Sequence, residues 1–432
     1  MSLKKEGDMF KKNIVSTTIL YYVFFVSFLA SNIVFSHNAV RAFTDEEKGS
    51  RSIDFPDSKG YVTVVTDLHT HTTFSDGHVW PSIRVEEAIR DNVDVISLTE
   101  HLEYQPHLED IPNQDRNRSF FLGKTAAENN DLIVINGAEV TRQMNDEKDS
   151  PGHINAVFIE DANKLYQHDE SKREEAIENL QSESAEQNTI NEFYAITNLW
   201  PVENAMREAN QQGAFVFWNH PSWSVQRPDG ITTLGNIHKK LIAEKLLHGI
   251  EVTNGDYYSE TAFQVALDNQ LTVIGTSDVH ELIDWDYKPY HGGHRPVTLV
   301  LAELRTEQSI KEALFARRTV VWFKDMLIGE ASNVSSLLEA SLIIGDVAYL
   351  PDTTILKVTI DNISDATFRL KNLSDHTFAK DDDYIEIPEH SQKVIEVNAI
   401  EKNSSVELEF EVLNALTAPK KHPRLKFQVI EH

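Results

Sequence analysis

Residues 67–77 read DLHTHTTFSDG and follow directly on the apolar run YVTVV. If the run is a strand, its period of two puts His69 and His71 on one face, with both imidazoles pointing the same way. Two histidines so placed make half of a metal site, although packing alone also produces the pattern H-x-H. Asp76, in the Asp-Gly turn five residues on, offers a carboxylate nearby. What the other strand ends carry decides between the two readings.

From about 61 to 330, short apolar runs alternate with helical patterns. VDVISLTEH, LIVINGAEV, AFVFWNHP, GIEVTNG and LTVIGTSDVH read as strands. SIRVEEAIRDN, FLGKTAAENN, PVENAMREANQQG, NIHKKLIAEKLLHG and SETAFQVALDNQ have helical spacing between them. Strands alternating with helices predict a parallel sheet, and this many units predict an α/β barrel. In such barrels the site forms at the carboxyl ends of the strands. Those ends carry His69 and His71, Asp76 in the following loop, His101 in TEH, Glu139 in GAEV with His153 soon after, His220 in WNHP, and Asp278 and His280 in TSDVH. Nine candidate metal ligands on five segments, in a chain of 18 histidines, favour a convergent site over histidines packed at random.

Composition narrows the chemistry. There are no cysteines, which excludes disulfides, thiolate metal sites and cysteine nucleophiles. The net charge of −28 argues against a nucleic-acid or anionic-membrane surface, but leaves room for a small anion held by metal ions. A length of 432 residues suggests more than one domain. Lysines 4, 5, 11 and 12 precede an uncharged apolar run from about 13 to 35, so residues 1–42 read as a signal peptide, with cleavage after Ser36 or Ala42, or as an N-terminal membrane anchor. Residues 43–60 read as a polar linker. The stretch 160–195, rich in Glu, Gln, Asn and Ser, reads as a surface helical insertion. After about 331 the texture becomes strand-like, with about seven alternating runs and no helical pattern, predicting a small β-sandwich over 331–432. KDDDY (380–384) reads as an exposed loop.

DLHTHTTFSDG, LTEH, GAE, GHINAV, NHP and GTSDVH, in this order and at these intervals, resemble the PHP (polymerase and histidinol phosphatase) superfamily over about residues 62–325. The resemblance implies a distorted seven-stranded (β/α) barrel with up to three divalent metals. By motif, His69, His71, Glu139 and Asp278 would hold one metal. Glu139 would bridge to a second, completed by His153 and His220. Asp76, His101 and His280 would hold a third. Imidazoles and carboxylates suit Zn, Mn or Fe alike. Three dications against three carboxylates and a bridging hydroxide leave roughly +2 by formal count, a cationic pocket in an acidic protein.

The export signal and the β-rich tail look like the exported phosphodiesterase branch. The expected function is therefore hydrolysis of small phosphate esters, diesters favoured, by a metal-bound hydroxide in the periplasm or outside the cell. Alternatives are a histidinol-phosphatase-type monoesterase, an amidohydrolase, and a non-catalytic binding protein on the same barrel. Arg142 and Arg295 are candidate phosphate contacts, and His294 a candidate acid for the leaving group. Trp80, Trp218, Trp223 and Tyr257 are candidate pocket walls. Glu100 is a candidate to orient ligands. Arg317 and Arg318 read as structural pairs.

Overall fold

The computed structural model describes residues 52–142, 151–167, 170–178, 199–402 and 405–430. The basic start, the apolar run at 13–35 and the two cleavage points lie outside the described residues. So does most of the 160–195 stretch, of which a short helical turn at Ala162–Leu165 and one helix at Glu170–Glu178 are described.

The barrel begins with β1 (Val62–Thr70), β2 (Val95–Leu98), β3 (Ile133–Thr141), β4 (His153–Val157), β5 (Phe215–Trp218) and β6 (Gly249–Asn254), each paired with the next. A two-residue β7 (Tyr257–Tyr258) turns back on β6, and β8 (Thr272–Thr276) pairs with β6 on its other side. Thr70 then bridges Val279, just past β8, so the curl of seven strands meets itself at its carboxyl end. Helices α1 (Pro81–Arg90), α2 (Arg118–Ala127), α3 (Glu170–Glu178), α4 (Val202–Gln211), α5 (Asn236–Ala243) and α6 (Glu260–Asn269) fall between the strands. Each forms for local reasons. Pro81 sits in the first turn of α1, where its missing N–H costs nothing. The Ser259 hydroxyl accepts from Ala262 N at 3.1 Å and caps α6.

The sheet is mixed, where strand–helix alternation predicts a parallel one. β4 runs antiparallel to both β3 and β5. Only eleven residues separate Thr141 from His153, too few for the crossover that a parallel neighbour requires. β9 (Val297–Ala302), β10 (Thr319–Phe323) and β11 (Met326–Gly329) extend the sheet from β1 as an antiparallel ladder. The β10–β11 turn is Lys324–Asp325, both at positive φ, as a tight hairpin needs.

Apolar side chains from nearly every strand meet inside the curl: Val64 and Leu68, Val95, Ile135, Val157, Phe215 and Phe217, and Ile274 form one buried cluster. Val157 ends β4 and Ile135 lies early in β3, so the cluster plugs the end of the barrel away from His153 and Glu139. Each such side chain contributes roughly 1.5–3 kcal/mol on burial. The plug leaves the carboxyl end open to the candidate ligands.

α7 (Ile283–Asp286) and α8 (Glu307–Phe315) lie beside the last barrel strands. The chain then continues as helix α9 (Ala331–Ser341), which no strand pattern announces, and a two-sheet antiparallel sandwich. One sheet joins β12 (Leu342–Tyr349), β13 (Ile355–Asn362) and β16 (Gln392–Asn398). The other joins β14 (Phe368–Asn372) to β15 (Tyr384–Ile387) and β17 (Ser405–Val412), and β17 to β19 (Arg424–Ile430). The inward residues of β19, Leu425, Phe427 and Val429, alternate with exposed neighbours, as the period of two requires. In the KDDDY loop, Lys393 holds Asp381 at 2.6 Å, an ordinary surface pair.

Barrel and sandwich share one core. A single buried cluster runs from Val65, Ile96 and Trp322 through Val334 and Leu338 of α9 to Val358 and Phe410. β18 (Ala415–Leu416) leaves the sandwich and pairs with β11. The end of the expected linker is a strap: Phe55 packs edge-on against Trp322, and Asp54 N donates to Asp365 at 2.6 Å. Ile53 and Phe55 alternate with polar residues in this segment, so its apolar side is buried although its composition is polar. Asn414 closes the junction, donating to Asp325 O and Thr367 O and accepting from Arg369 N at 2.6, 2.7 and 2.9 Å. We expect Asn414→Ala to cost roughly 2–4 kcal/mol, because two carbonyls and an amide lose buried partners. Calorimetry should also show barrel and sandwich unfolding in one transition.

Candidate metal centre

The residues predicted at the strand ends converge. His69 Nε2 lies 3.0 Å from His71 Nε2, and both lie 3.1 Å from Asp278 Oδ1. Glu139 Oε2 is 3.5 Å from the first, 3.3 Å from the second and 2.9 Å from His101 Nδ1. Glu139 Oε1 faces His153 Nδ1 at 2.9 Å and His220 Nε2 at 3.5 Å. Asp76 sits between His101 Nε2 and His280 Nε2 at 3.3 and 3.2 Å. Three groups have donor atoms close enough for one ion each: His69, His71 and Asp278; His101, Glu139 and His153; and His71, Asp76, His101 and His280. His71 and His101 therefore each stand in two groups, while His220 faces Glu139 without completing one.

Local structure explains the convergence. β1 carries one extra residue against β2 between Asp67 and Thr70, and β6 one extra against β8 between Glu251 and Thr253. Such bulges re-aim side chains, and both flank site residues. Because β4 is antiparallel, its first residue, His153, reaches the same end as the last residues of its neighbours. After β1 the loop folds back on itself, with Gly77 N donating to Thr72 O at 3.0 Å. A Cβ on Gly77 would stand 2.7 Å from the backbone of His71 and Thr72. That close return carries Asp76 back onto His71 and answers why an Asp-Gly follows the histidine pair.

The polar partners fix which nitrogen faces inward. His69 Nδ1 donates to Glu251 at 2.8 Å, and His280 Nδ1 donates to the carbonyl of Asp278 at 2.8 Å. Ser75 donates to Glu100 at 2.5 Å and so accepts from His71 Nδ1 at 3.2 Å. His69 and His71 thus turn their Nε2 lone pairs toward each other and toward two carboxylates. Four electron-rich atoms this close repel unless a proton or a metal ion lies among them. Burial opposes positive charge on His69, but the carboxylates Asp278, Glu251 and Glu139 around it favour that charge. Glu139 Oε2 and Asp76 Oδ1 are also buried without a hydrogen bond. This donor set fits divalent ions.

The electrostatics agree in direction. Burial opposes charge on Asp278, but His69, His71, His280 and His220 around it hold its carboxyl well below the usual range. Glu139 is lowered too, by His101, His153 and His69 against its burial. Burial brings His153 down to about 4, against the pull of Glu139.

Glu251 was not singled out in the sequence. Buried on β6, it accepts from His69 Nδ1, His220 N (2.6 Å), Asn254 Nδ2 (2.9 Å) and Thr276 Oγ1 (2.6 Å). Asn254 passes the contact on to Asp278 at 3.2 Å. The available signal was a lone carboxylate in the apolar run GIEV. Arg84 on α1 is a second omission. Fully buried, its guanidinium donates to the carbonyls of His71, Val279, His280 and Glu281 and ties the ends of β1 and β8 together.

Three accessory expectations, for Arg142, Arg295 and His294, need correction. Arg142 lines the cleft, but its guanidinium is buried and held by Glu103, Thr141 O and Trp200 O, so it is not presented to a phosphate. Arg295 is fully buried between Asp67 and Asp91, where it neutralises two carboxylates beneath the site. His294 is not among the residues lining the cleft. It stacks on Trp322 at 3.4 Å, and burial lowers its pKa to about 4. Glu100 does orient a ligand, His71 rather than the adjoining His101: it accepts from Thr72 and Ser75, and Ser75 accepts from His71 Nδ1. Trp218 is buried against His238 and Trp80 packs on Phe74, whereas Trp223 and Tyr257 line the cleft. Arg317 pairs with Glu330, as a structural role requires.

Glu251→Gln keeps the size but removes the charge and turns one of the two acceptor oxygens into an NH2, so that either His69 and Thr276 or His220 N and Asn254 lose their acceptor. Metal affinity should fall about 10–100-fold while the fold persists. Metal titration followed by dialysis checks the first part, and circular dichroism the second.

Residues 342–428 match a family model described as an Ig-like domain. No curated protein matches the chain. Among solved structures, the chain is similar to a two-domain protein from Bacteroides vulgatus containing a predicted PHP-like metal-dependent phosphoesterase. That likeness has 36% identity and a TM-score of 0.74, and covers 89% of this chain and 100% of the other. Two slighter likenesses each cover 50% of this chain. One is to a proposed metal-dependent phosphoesterase from Bifidobacterium adolescentis, with 18% identity, a TM-score of 0.35 and 88% of that chain covered. The other is to an amidohydrolase from Chromobacterium violaceum, with 17% identity, a TM-score of 0.34 and 87% of that chain covered. With the full length of the Bacteroides protein matched and the expected ligand constellation assembled, the chain belongs to the two-domain PHP-like family.

Proposed function

We propose that this protein is an exported metal-dependent phosphoesterase that hydrolyses small phosphate esters and favours diesters over monoesters. One observation carries the reading: the Nε2 atoms of His69 and His71 face each other at 3.0 Å with Asp278 Oδ1 at 3.1 Å from both, a donor set suited to a divalent cation. His69, His71, Glu139 and Asp278 would hold one ion, Glu139 with His153 and His220 a second, and Asp76, His101 and His280 a third. Divalent ions there supply a water of low pKa as nucleophile and positive charge for the phosphoryl oxygens. Mn, Zn and Fe all suit these ligands.

The chain's own part is to place and neutralise. Glu251, Ser75 and the Asp278 carbonyl hold three imidazoles in one tautomer, so no rearrangement precedes binding. The cleft over the ligands, of about 1010 Å³, is far larger than a phosphate and admits an organic group on the ester. Among its described lining residues Arg142 is the only lysine or arginine, and it is committed to Glu103. A monoanionic diester asks for less neutralisation than a dianionic monoester, which supports the preference. Export rests on the basic start and apolar run at the N-terminus. Among the described residues no helix is long and apolar enough to cross a membrane.

The test pairs metal analysis of the purified protein with hydrolysis of bis(4-nitrophenyl) phosphate and 4-nitrophenyl phosphate. Chelation should abolish turnover, and Mn or Zn should restore it. Chelator-resistant hydrolysis would overturn the metal-dependent reading, and a faster monoester reaction the preference. Glu139→Gln should deplete more than one ion and lower the rate by at least ~100-fold. Asp76→Asn, which touches only the group with His71, His101 and His280, should keep part of the metal and part of the rate. Cell fractionation, with sequencing of the mature N-terminus, tests export.

A further inference from the structure

Beyond the metal ligands, the cleft has a second wall. The segment after β5 runs from His220 to Gly230 in consecutive tight turns, with Trp223 N bonded to His220 O and both Gln226 N and Arg227 N to Trp223 O. It presents Trp223 and Val225 to the cleft, 42% and 64% exposed. The β6–β7 hairpin adds Tyr257, 76% exposed, to the same lining. Trp223 is anchored edge-on to two candidate ligands, His153 at 5.8 Å and His220 at 5.3 Å. Large apolar side chains left in water beside a reactive centre are an unmet surface.

Charge limits what meets that surface. Apart from the metal ligands, the ionic groups lining the cleft among the described residues are Glu251, committed to four donors, Arg142, committed to Glu103, and Asp229. No cation is left there for a second phosphate. Asp229 would repel one.

We infer that Trp223 and Tyr257 form the subsite for an uncharged, planar aromatic group on the phosphate ester, and so determine specificity. The inference rests on the phosphoesterase reading, since it takes the metal ions to hold the phosphate. A phosphoryl group on the ions places its substituent toward Trp223, one ring away from His153 and His220. The tight turns hold the indole in place before the substrate arrives, so little ordering accompanies stacking. Esters carrying a second phosphate or a carboxylate are disfavoured by Asp229.

The test uses metal-loaded full-length protein and two non-hydrolysable probes of equal charge, phenylphosphonate and methylphosphonate. Calorimetry should show the phenyl compound binding about tenfold more tightly, the scale of an aromatic contact with its buried area. Trp223→Ala should bring the two affinities together, Trp223→Phe should restore most of the difference, and Tyr257→Ala should reduce it. Because Trp223 touches two ligands, metal content is measured in every variant. Tyr257→Ala, at a highly exposed side chain that is no ligand, keeps the test valid if Trp223→Ala loses metal. Equal affinities in the natural protein, or a difference unchanged in both alanine variants, would overturn the subsite. Failure of the parent reading looks different: no ester is turned over, whatever the phosphonates show.

Discussion

A buried carboxylate, Glu251, sits where the barrel needs a fixed point. It accepts four hydrogen bonds, from a side chain on β1, the backbone after β5, a side chain on β6 and one on β8. Burying such a group is tolerable only if those donors stay in place. Each donor either is a candidate ligand, adjoins one or orients one: His69 directly, His220 through its amide, Asp278 through Asn254. The strand ends are thereby tied to one anion below the site. Above it the same strands expose lone pairs to one another, an arrangement that only cations complete. Anchoring from beneath and repulsion from above leave the ligands few alternative positions.

Much of this was visible in the sequence because it is local. The pairing of His69 with His71 follows from the period of a strand, although the bulge between Asp67 and Thr70 falls at His69 and the strand ends at Thr70. Asp76 follows from a turn. What was hidden depends on partners far along the chain. The direction of β4 is set by pairing with β3 and β5, and HINAV reads the same either way up. Glu251 escaped because attention to strand ends passes over a carboxylate in mid-strand. Arg142, Arg295 and His294 failed for a common reason. Nearness in sequence to a strand end says nothing of which way a side chain turns, and each is committed to partners of its own.

The sandwich belongs to the same argument. β8 carries Asp278 and His280 beyond its end, yet its backbone ladder is with β6 alone. On its other side threonines replace the ladder: Thr298 exchanges bonds with Gly275 N and O at 2.9 and 2.8 Å, and Thr319 donates to Val273 O at 2.8 Å. A Cβ on Gly275 would collide with Val321 and Thr253, so the approach is already as close as a strand allows. Thr298 lies on β9 and Thr319 on β10, the strands whose far faces enter the core shared with α9 and the Ig-like sheets. The sandwich holds the ladder, the ladder holds β8, and β8 holds two ligands. The sandwich therefore bears on the site through packing.

Backbone strain shows where that support is used. Asp278 and His220 both have positive φ, at 51° and 28°, in a region that residues with a side chain seldom occupy. Such conformations persist only where the surroundings over-determine them. Here Asp278 N donates to His69 O at 2.9 Å and His220 N to Glu251 at 2.6 Å, each fixed on the side away from the cleft. The strained pair follows the two strands that flank β6, and His220 Nε2 lies 3.9 Å from Asp278 Oδ2 and 3.5 Å from Glu139 Oε1. Relaxing either residue would break a buried bond to β1 or β6 before it moved the ligand. The barrel is therefore set in its metal-binding geometry by its own hydrogen bonds, and the ions enter a site whose spacing the chain has already chosen.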